Sequence, residues 1–246
     1  MGPATELVAP PAQGRVFRHA ARAGLADVAP PGRARLDAIA RWLQDAALAD
    51  VQDAGLAEGL WIVRRLRIAV ARFPAFGEEL EVATFCSGVG RFWAERRTTV
   101  AGAGGARVEA GALWVHLAAD GARPAPMPPR FDAVYGPAAA GRRVRARLRH
   151  PAAPPPDAER RPWRFRAADL DLADHVNNAV YWQVLEEDLA GELLPGGLDA
   201  EIEHRAPADA GEAQLARADG ARWVLGADGA VLASFVMAPR PPRAPA

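Results

Sequence analysis

Residues 169–187 read DLDLADHVNNAVYWQVLEE. Three aspartates (Asp169, Asp171, Asp174), His175 and the pair Asn177–Asn178 crowd into ten positions, and an amphipathic run follows. Val176, Val180 and Val184 form one row of that run, and Tyr181, Leu185 and Leu189 the next. That is the spacing of a helix with one buried side. Asn177 and Asn178 suit its N-cap. A helix start carries unpaired N–H groups and a partial positive charge. Both would stabilise an oxyanion developing on a carbonyl. Asp171 and His175, four residues apart just before that start, are suited to activate or position water for attack on an ester or thioester. No Ser or Cys nucleophile accompanies them, and GxSxG and HExxH motifs are absent.

Around this stretch the chain repeats itself. WRFRAADLDL before it reads as a strand, and DAEIEHRAP, GEAQLARA, ARWVLGA and AVLASFVMAP after it as four short strands. The first half has the same order. RVFRHAARAGLADV is a strand with a turn. ARLDAIARWLQDAALADVQDAG is a helix with Leu36, Ile39, Leu43, Ala47 and Val51 at spacings of three and four. RRLRIAV follows, with Leu66, Ile68 and Val70 on one side and Arg65 and Arg67 on the other. Then come ELEVATF, GRFWAERRTTV and RVEAGALWVHLAA, the last two joined by the Gly-rich AGAGGA. A duplicated unit of strand, helix and strands is the simplest account. The class is α+β, with one helix in the concave face of an antiparallel sheet in each unit, and the two sheets paired as a pseudo-dimer.

The predicted boundaries are a loose tail over 1–14, a first domain over 15–135, a Pro/Arg-rich linker over 136–162, a second domain over 163–239 and a loose tail over 240–246. In the linker, RRVRARLRH places Arg143, Arg145, Arg147 and Arg149 on one side if extended, and Val144, Ala146 and Leu148 on the other.

Composition narrows the function. Thirty basic and thirty acidic residues balance, which argues against bulk nucleic-acid binding. No apolar run is long enough to insert in a membrane, and the first residues do not read as a signal peptide. The single Cys86 rules out an intrachain disulfide and points to the cytoplasm. His19, His116, His150 and His204 show no metal-ligand spacing, so no metal or other cofactor is expected.

DLDLADHVNNAVYWQVLEE resembles the signature of the acyl-ACP (acyl carrier protein) thioesterases and their acyl-CoA thioesterase relatives. LWIVRRLRIAVARFPAFGEELEVATF resembles the family's first-domain strands, and ALWVHLAADGARPAPMPP its next strand and closing turn. The resemblance implies two tandem hot-dog domains, each an antiparallel sheet wrapped around a central helix. It implies hydrolysis of an acyl thioester, most simply acyl-ACP, to free fatty acid and carrier thiol. The first domain would shape an acyl pocket and the second would carry the catalytic group. By position, Asp171 matches the motif's carboxylate and His175 its histidine, with Asn177 and Asn178 in support. The sequence departs from the plant-type pattern at Ala173, where the family has asparagine, and at Pro207 and Ala208, where it has Glu and often Cys. Asp174, Asp209 and Glu212 are nearby replacements. Trp42, Leu43, Val180 and Val184 are the expected lining, and the Arg143–Arg149 ridge is the expected dock for an acidic carrier. Three alternatives stand beside this reading: acyl-CoA as substrate, a non-hydrolytic acyl-thioester or lipid binder, and, more weakly, a dehydratase. A homodimer of the tandem is left open.

Overall fold

The computed structural model describes residues 2–56, 59–118, 121, 123–190 and 197–238. The first half runs β1 (Phe17–Arg22), β2 (Val28–Ala29), β3 (Arg33–Ala34), α1 (Leu36–Asp53), β4 (Leu60–Arg72), β5 (Glu79–Val89), β6 (Trp93–Gly102), β7 (Arg107–Leu117) and α2 (Phe131–Ala139). The second runs β8 (Glu159–Phe165), α3 (Tyr181–Asp188), β9 (Leu198–His204), β10 (Gly211–Ala218), β11 (Ala221–Gly226) and β12 (Val231–Met237). All strands except β2 and β3 join one antiparallel sheet in the order β1-β5-β6-β7-β4-β9-β12-β11-β10-β8. From the central β4–β9 pair outward, both sides follow the same connectivity, as a duplicated unit requires.

Period-two alternation positions the layers. On β4, Leu66, Ile68 and Val70 are buried on the inner face, against the helices. They join Ile39 and Leu43 of α1, Trp182, Val184 and Leu185 of α3, and Ile202 and Phe235 in one core that crosses both halves. Arg65 and Arg67 point to the outer face. Arg67 makes a two-pronged pair with Asp199 at 2.8 and 2.6 Å, and Arg65 lies 3.3 Å from Glu203. The seam between halves is thus apolar inside and ion-paired outside.

Four expectations change. Residues 2–14, expected to be loose, run over the outer face: Glu201 accepts the Ala4 and Thr5 N–H groups at 3.0 and 2.7 Å, Arg67 donates to the Thr5 carbonyl at 2.6 Å, and Arg97 to that of Val8 at 3.0 Å. Gly14 then passes so close to α2 that a Cβ there would sit 2.3 Å from the Ala138 nitrogen. The expected linker contains the end of α2, which buries Phe131, Tyr135, Ala138 and Ala139. Its last residues belong to β8, an edge strand where Pro162 needs no donor. The strand expected over 163–172 ends at Phe165, and the helix expected from Val176 begins at Tyr181. The predicted tail over 240–246 lies outside the described residues.

Candidate active site

After β8 the chain makes a single 3-10 turn, Ala167–Asp169. Asp169 is buried, and its carboxylate accepts the Arg166 N–H and pairs with the Arg166 guanidinium, both at 2.8 Å. The next six residues fold back on themselves. The Asp171 N–H donates to the His175 carbonyl at 2.9 Å, and the Asp174 N–H to the Asp171 carbonyl at 3.0 Å. Asp174 takes φ 58°, a left-handed conformation that aspartate tolerates better than most residues. The Val176 N–H reaches the Ala208 carbonyl at 2.8 Å and ties the loop to the segment after β9.

This closed loop aims Asp171 outward. One carboxylate oxygen accepts the Ala173 N–H at 2.9 Å and the other the Asn177 side-chain amide at 3.1 Å. The Asn177 oxygen accepts the Ala179 N–H at 2.8 Å. Asn177 therefore caps the approach to α3 and orients Asp171 with the same amide. His175 places Nδ1 3.4 Å from Asp209, both on the surface. Asp209 is thus an alternative carboxylate from outside the loop that reaches the motif. Glu212 lines a separate open trough beside β8, whose lining carries side chains of both charges and includes neither Asp171 nor His175.

A groove of about 530 Å³ starts at Asp171, Ala173 and Asn177 and runs along α1. Arg41, Gln44, Leu48 and Val51 form its helix side, and Trp61, Trp114, Ala94 and Cys86 its sheet side, with Phe131 of α2 beyond. From Arg41 to Val51 the helix rises about 15 Å. A carboxylate of the second half therefore stands at the mouth of an elongated pocket built by the first.

Residues 14–135 match the acyl-ACP thioesterase N-terminal domain and residues 153–213 the acyl-ACP thioesterase C-terminal domain. The chain belongs to the acyl-ACP thioesterase family. It is a thioester hydrolase with the tandem hot-dog architecture that its sheet displays. An uncharacterized protein of Mycobacterium tuberculosis is 28% identical over 209 residues, 84% of this chain and 83% of the relative. The 12:0-ACP thioesterase of Umbellularia californica superposes with a TM-score of 0.73 at 20% identity, over 92% of this chain and 97% of that one. An acyl-ACP thioesterase of Bacteroides thetaiotaomicron also gives 0.73, at 17% identity over 90% and 96%.

The thioesterase's groove has a wall that the sequence reading missed. Trp42, Val180 and Val184 pack in the core, and Leu43 faces a smaller pocket beneath Asn178 and Ala179. The wall includes a charge instead: Arg96 donates to the buried Asp50 at 2.5 Å, and Arg15 holds the other Asp50 oxygen at 2.6 Å. The signal was legible in β6, where Ala94, Arg96, Thr98 and Val100 are the set that alternates inward. Cys86 also lines the groove. Burial pushes its thiol up to about 11, which keeps it protonated and unreactive.

The arginine ridge alternates as expected, with Arg143, Arg145, Arg147 and Arg149 exposed and Val144, Ala146 and Leu148 half-buried. It does not flank the groove. Trp93 donates to the Val144 carbonyl at 2.8 Å and Arg65 to that of Arg147 at 2.7 Å, which lays the ridge across the outer face, opposite the helices. There His150, Glu201 and Glu203 converge closely enough to ligate a cation. Backbone N–H groups of Ala4, Thr5, Arg149 and His150 already occupy their carboxylates. Among the described residues no helix is long and apolar enough to cross a membrane.

Proposed function

We propose that this thioesterase hydrolyses acyl-ACP, with Asp171 as the general base. The observation that carries the reading is an exposed carboxylate, held by Ala173 and Asn177, at the mouth of a groove long enough for an acyl chain. The acyl chain lies along α1 and the thioester carbonyl rests beside Asp171. Asp171 takes a proton from water as the water oxygen bonds to the carbonyl carbon. The tetrahedral oxyanion is met at the start of α3, where the Asn178 N–H has no acceptor among the described residues. The C–S bond then breaks, and the proton passes to the departing sulfur, leaving free acid and carrier thiol. We assign the assisting role in that transfer to His175, which is exposed beside Asp209.

The test is thiol release from matched acyl-ACP and acyl-CoA substrates, wild type beside Asp171→Asn. A loss of roughly 10²–10⁴-fold in kcat with acyl binding retained supports Asp171 as base. Unchanged turnover refutes it. Preference for the CoA arm would transfer the reading to acyl-CoA.

A further inference from the structure

The seam between the halves carries a guanidinium that no carboxylate answers. β4 has a bulge between Val63 and Arg65, so Arg64 is the extra residue and is turned out of the ladder. The pairing of β4 with β9 starts at Arg65 and Glu203, which leaves Arg64 just past its last rung. There its Nη1 donates to the carbonyls of His204 at 2.8 Å and Arg205 at 3.4 Å. Among the described residues it has no ion-pair partner. Glu203, the acid that acts on it, is shared by Arg65 at 3.3 Å and Arg205 at 3.8 Å, and also accepts the Arg149 and His150 N–H groups. Burial and the neighbouring Arg205 hold the Arg64 pKa below the usual guanidinium range. Three guanidiniums over one carboxylate leave the spot positive, and a half-buried charge without a counterion is costly. The Arg64 Nε and Nη2 have no acceptor among the described residues, and neither is enclosed, so both are open to a ligand. The position is close to the mouth. Val63, the residue before, lines one small pocket with Asn178 and Ala179 ahead of α3. From the Arg205 carbonyl that Arg64 holds, three residues lead to Ala208, whose carbonyl takes the Val176 N–H, and one more to Asp209, 3.4 Å from His175. Three residues of extended chain cover at most about 11 Å. Pro207 and Asp209 are exposed, so this link runs at the surface.

We propose that Arg64 binds the phosphate of the phosphopantetheine arm that carries the acyl group, and so anchors the arm along residues 205–209 with its thioester at Asp171. This rests on the assignment of Asp171 as base. An acyl carrier protein and coenzyme A present the same arm, with a phosphate at the end away from the sulfur. A guanidinium meets phosphate oxygens through two parallel N–H groups, and Nε and Nη2 are the edge that Arg64 keeps free. The hydrolytic step is unchanged; the phosphate is recognised and does not react.

The experiment uses the full chain, as wild type and Arg64→Gln, with decanoyl thioesters of pantetheine, 4′-phosphopantetheine, coenzyme A and acyl carrier protein. The first two differ only by the phosphate. Arg64→Gln keeps an amide donor and removes the charge; Arg64→Met takes its place if a thermal melt shows that it does not fold. The expected wild-type kcat/KM is about ten-fold or more higher for the phosphorylated arm than for pantetheine, the worth of one charge-assisted pair. In the variant that ratio falls toward one, through KM and not kcat. Whichever of the carrier-protein and CoA substrates weakens in step with phosphopantetheine names the molecule that brings the arm. A wild-type ratio of one or less overturns the proposal and leaves the thioesterase reading intact. So do equal losses on pantetheine and phosphopantetheine, which would confine Arg64 to holding the end of β9, and a loss confined to CoA, which would assign it to the nucleotide. If the wild type hydrolyses none of them, the reading of the site fails. Titration with free 4′-phosphopantetheine and pantetheine then decides the proposal: tighter binding of the phosphorylated arm, lost in the variant, supports it, and equal binding overturns it.

Discussion

Asn177 has two duties that chemistry can separate. Its amide nitrogen steadies Asp171 and its oxygen caps the turn into α3. Asn177→Ala removes both, so kcat should fall and stability should drop by about 1 kcal/mol. Asn177→Asp keeps the cap but sets a second carboxylate beside Asp171. Urea unfolding should then stay within a few tenths of a kcal/mol of wild type while turnover still falls. A variant that loses both or neither would show that the amide does not orient the carboxylate. These residues could be read from the sequence because the loop is local: every bond that aims Asp171 lies within six positions of it. Arg96 and Asp50 were not read, because their partnership links β6 to α1 and appears only when strand and helix are packed.

Among the elements, the N-terminal segment depends on one side chain. Burial opposes the ionisation of Glu201, but hydrogen bonds from His150, Thr5 and Ala4 outweigh it and bring its pKa down to about 2. The folded value lies below the unfolded one. Its stabilisation is therefore present above about pH 4.5 and is lost as pH falls toward 2. His204 acts earlier. Burial, with Arg64 nearby, lowers it to about 3, so the unfolded chain gains a proton first and stability declines from about pH 6.5 downward. Urea unfolding across this range should show both declines. Glu201→Gln should flatten the one below pH 4.5 and speed amide exchange at Ala4 and Thr5. Unchanged exchange there would mean that the segment is held by Arg67 and Arg97 instead. A Pro/Ala-rich composition gave no hint of this attachment, since Thr5 and its partner Glu201 are 196 residues apart. The inner strands, whose alternation is their own, were legible, while α2 was hidden by a run of small residues and by Pro137 in its last turn.

For the molecule as a whole, the duplicated order of elements was readable, but the sharing of one core was not, because it depends on β4 meeting β9. Arg65 and Arg67 of the first half face Glu203 and Asp199 of the second. α1 is fastened to α3 by Glu186, which accepts the Leu36 N–H at 3.0 Å and pairs with Arg33 at 2.6 Å. Residues 1–150 alone would expose the edge of β4 and leave those arginines unpaired. They should show no cooperative melt alone and regain one when mixed with residues 151–246; an independently cooperative first half would contradict this. Covalent fusion has a further consequence, visible at Ala29. The Arg35 N–H bonds the Asp27 carbonyl at 2.8 Å as the Asn177 N–H bonds that of Asp169 at 2.9 Å, and the Gly32 N–H bonds the Ala29 carbonyl as the Asp174 N–H bonds that of Asp171, so Ala29 stands in the first half where Asp171 stands in the second and carries no carboxylate. Two identical subunits would have to keep both mouths alike, whereas a tandem is free to let one become masonry. Each polypeptide then handles one acyl group at a time. Titration with a tight-binding acyl analogue should saturate at one equivalent per chain, and the rate should follow a simple hyperbola with no dialogue between sites.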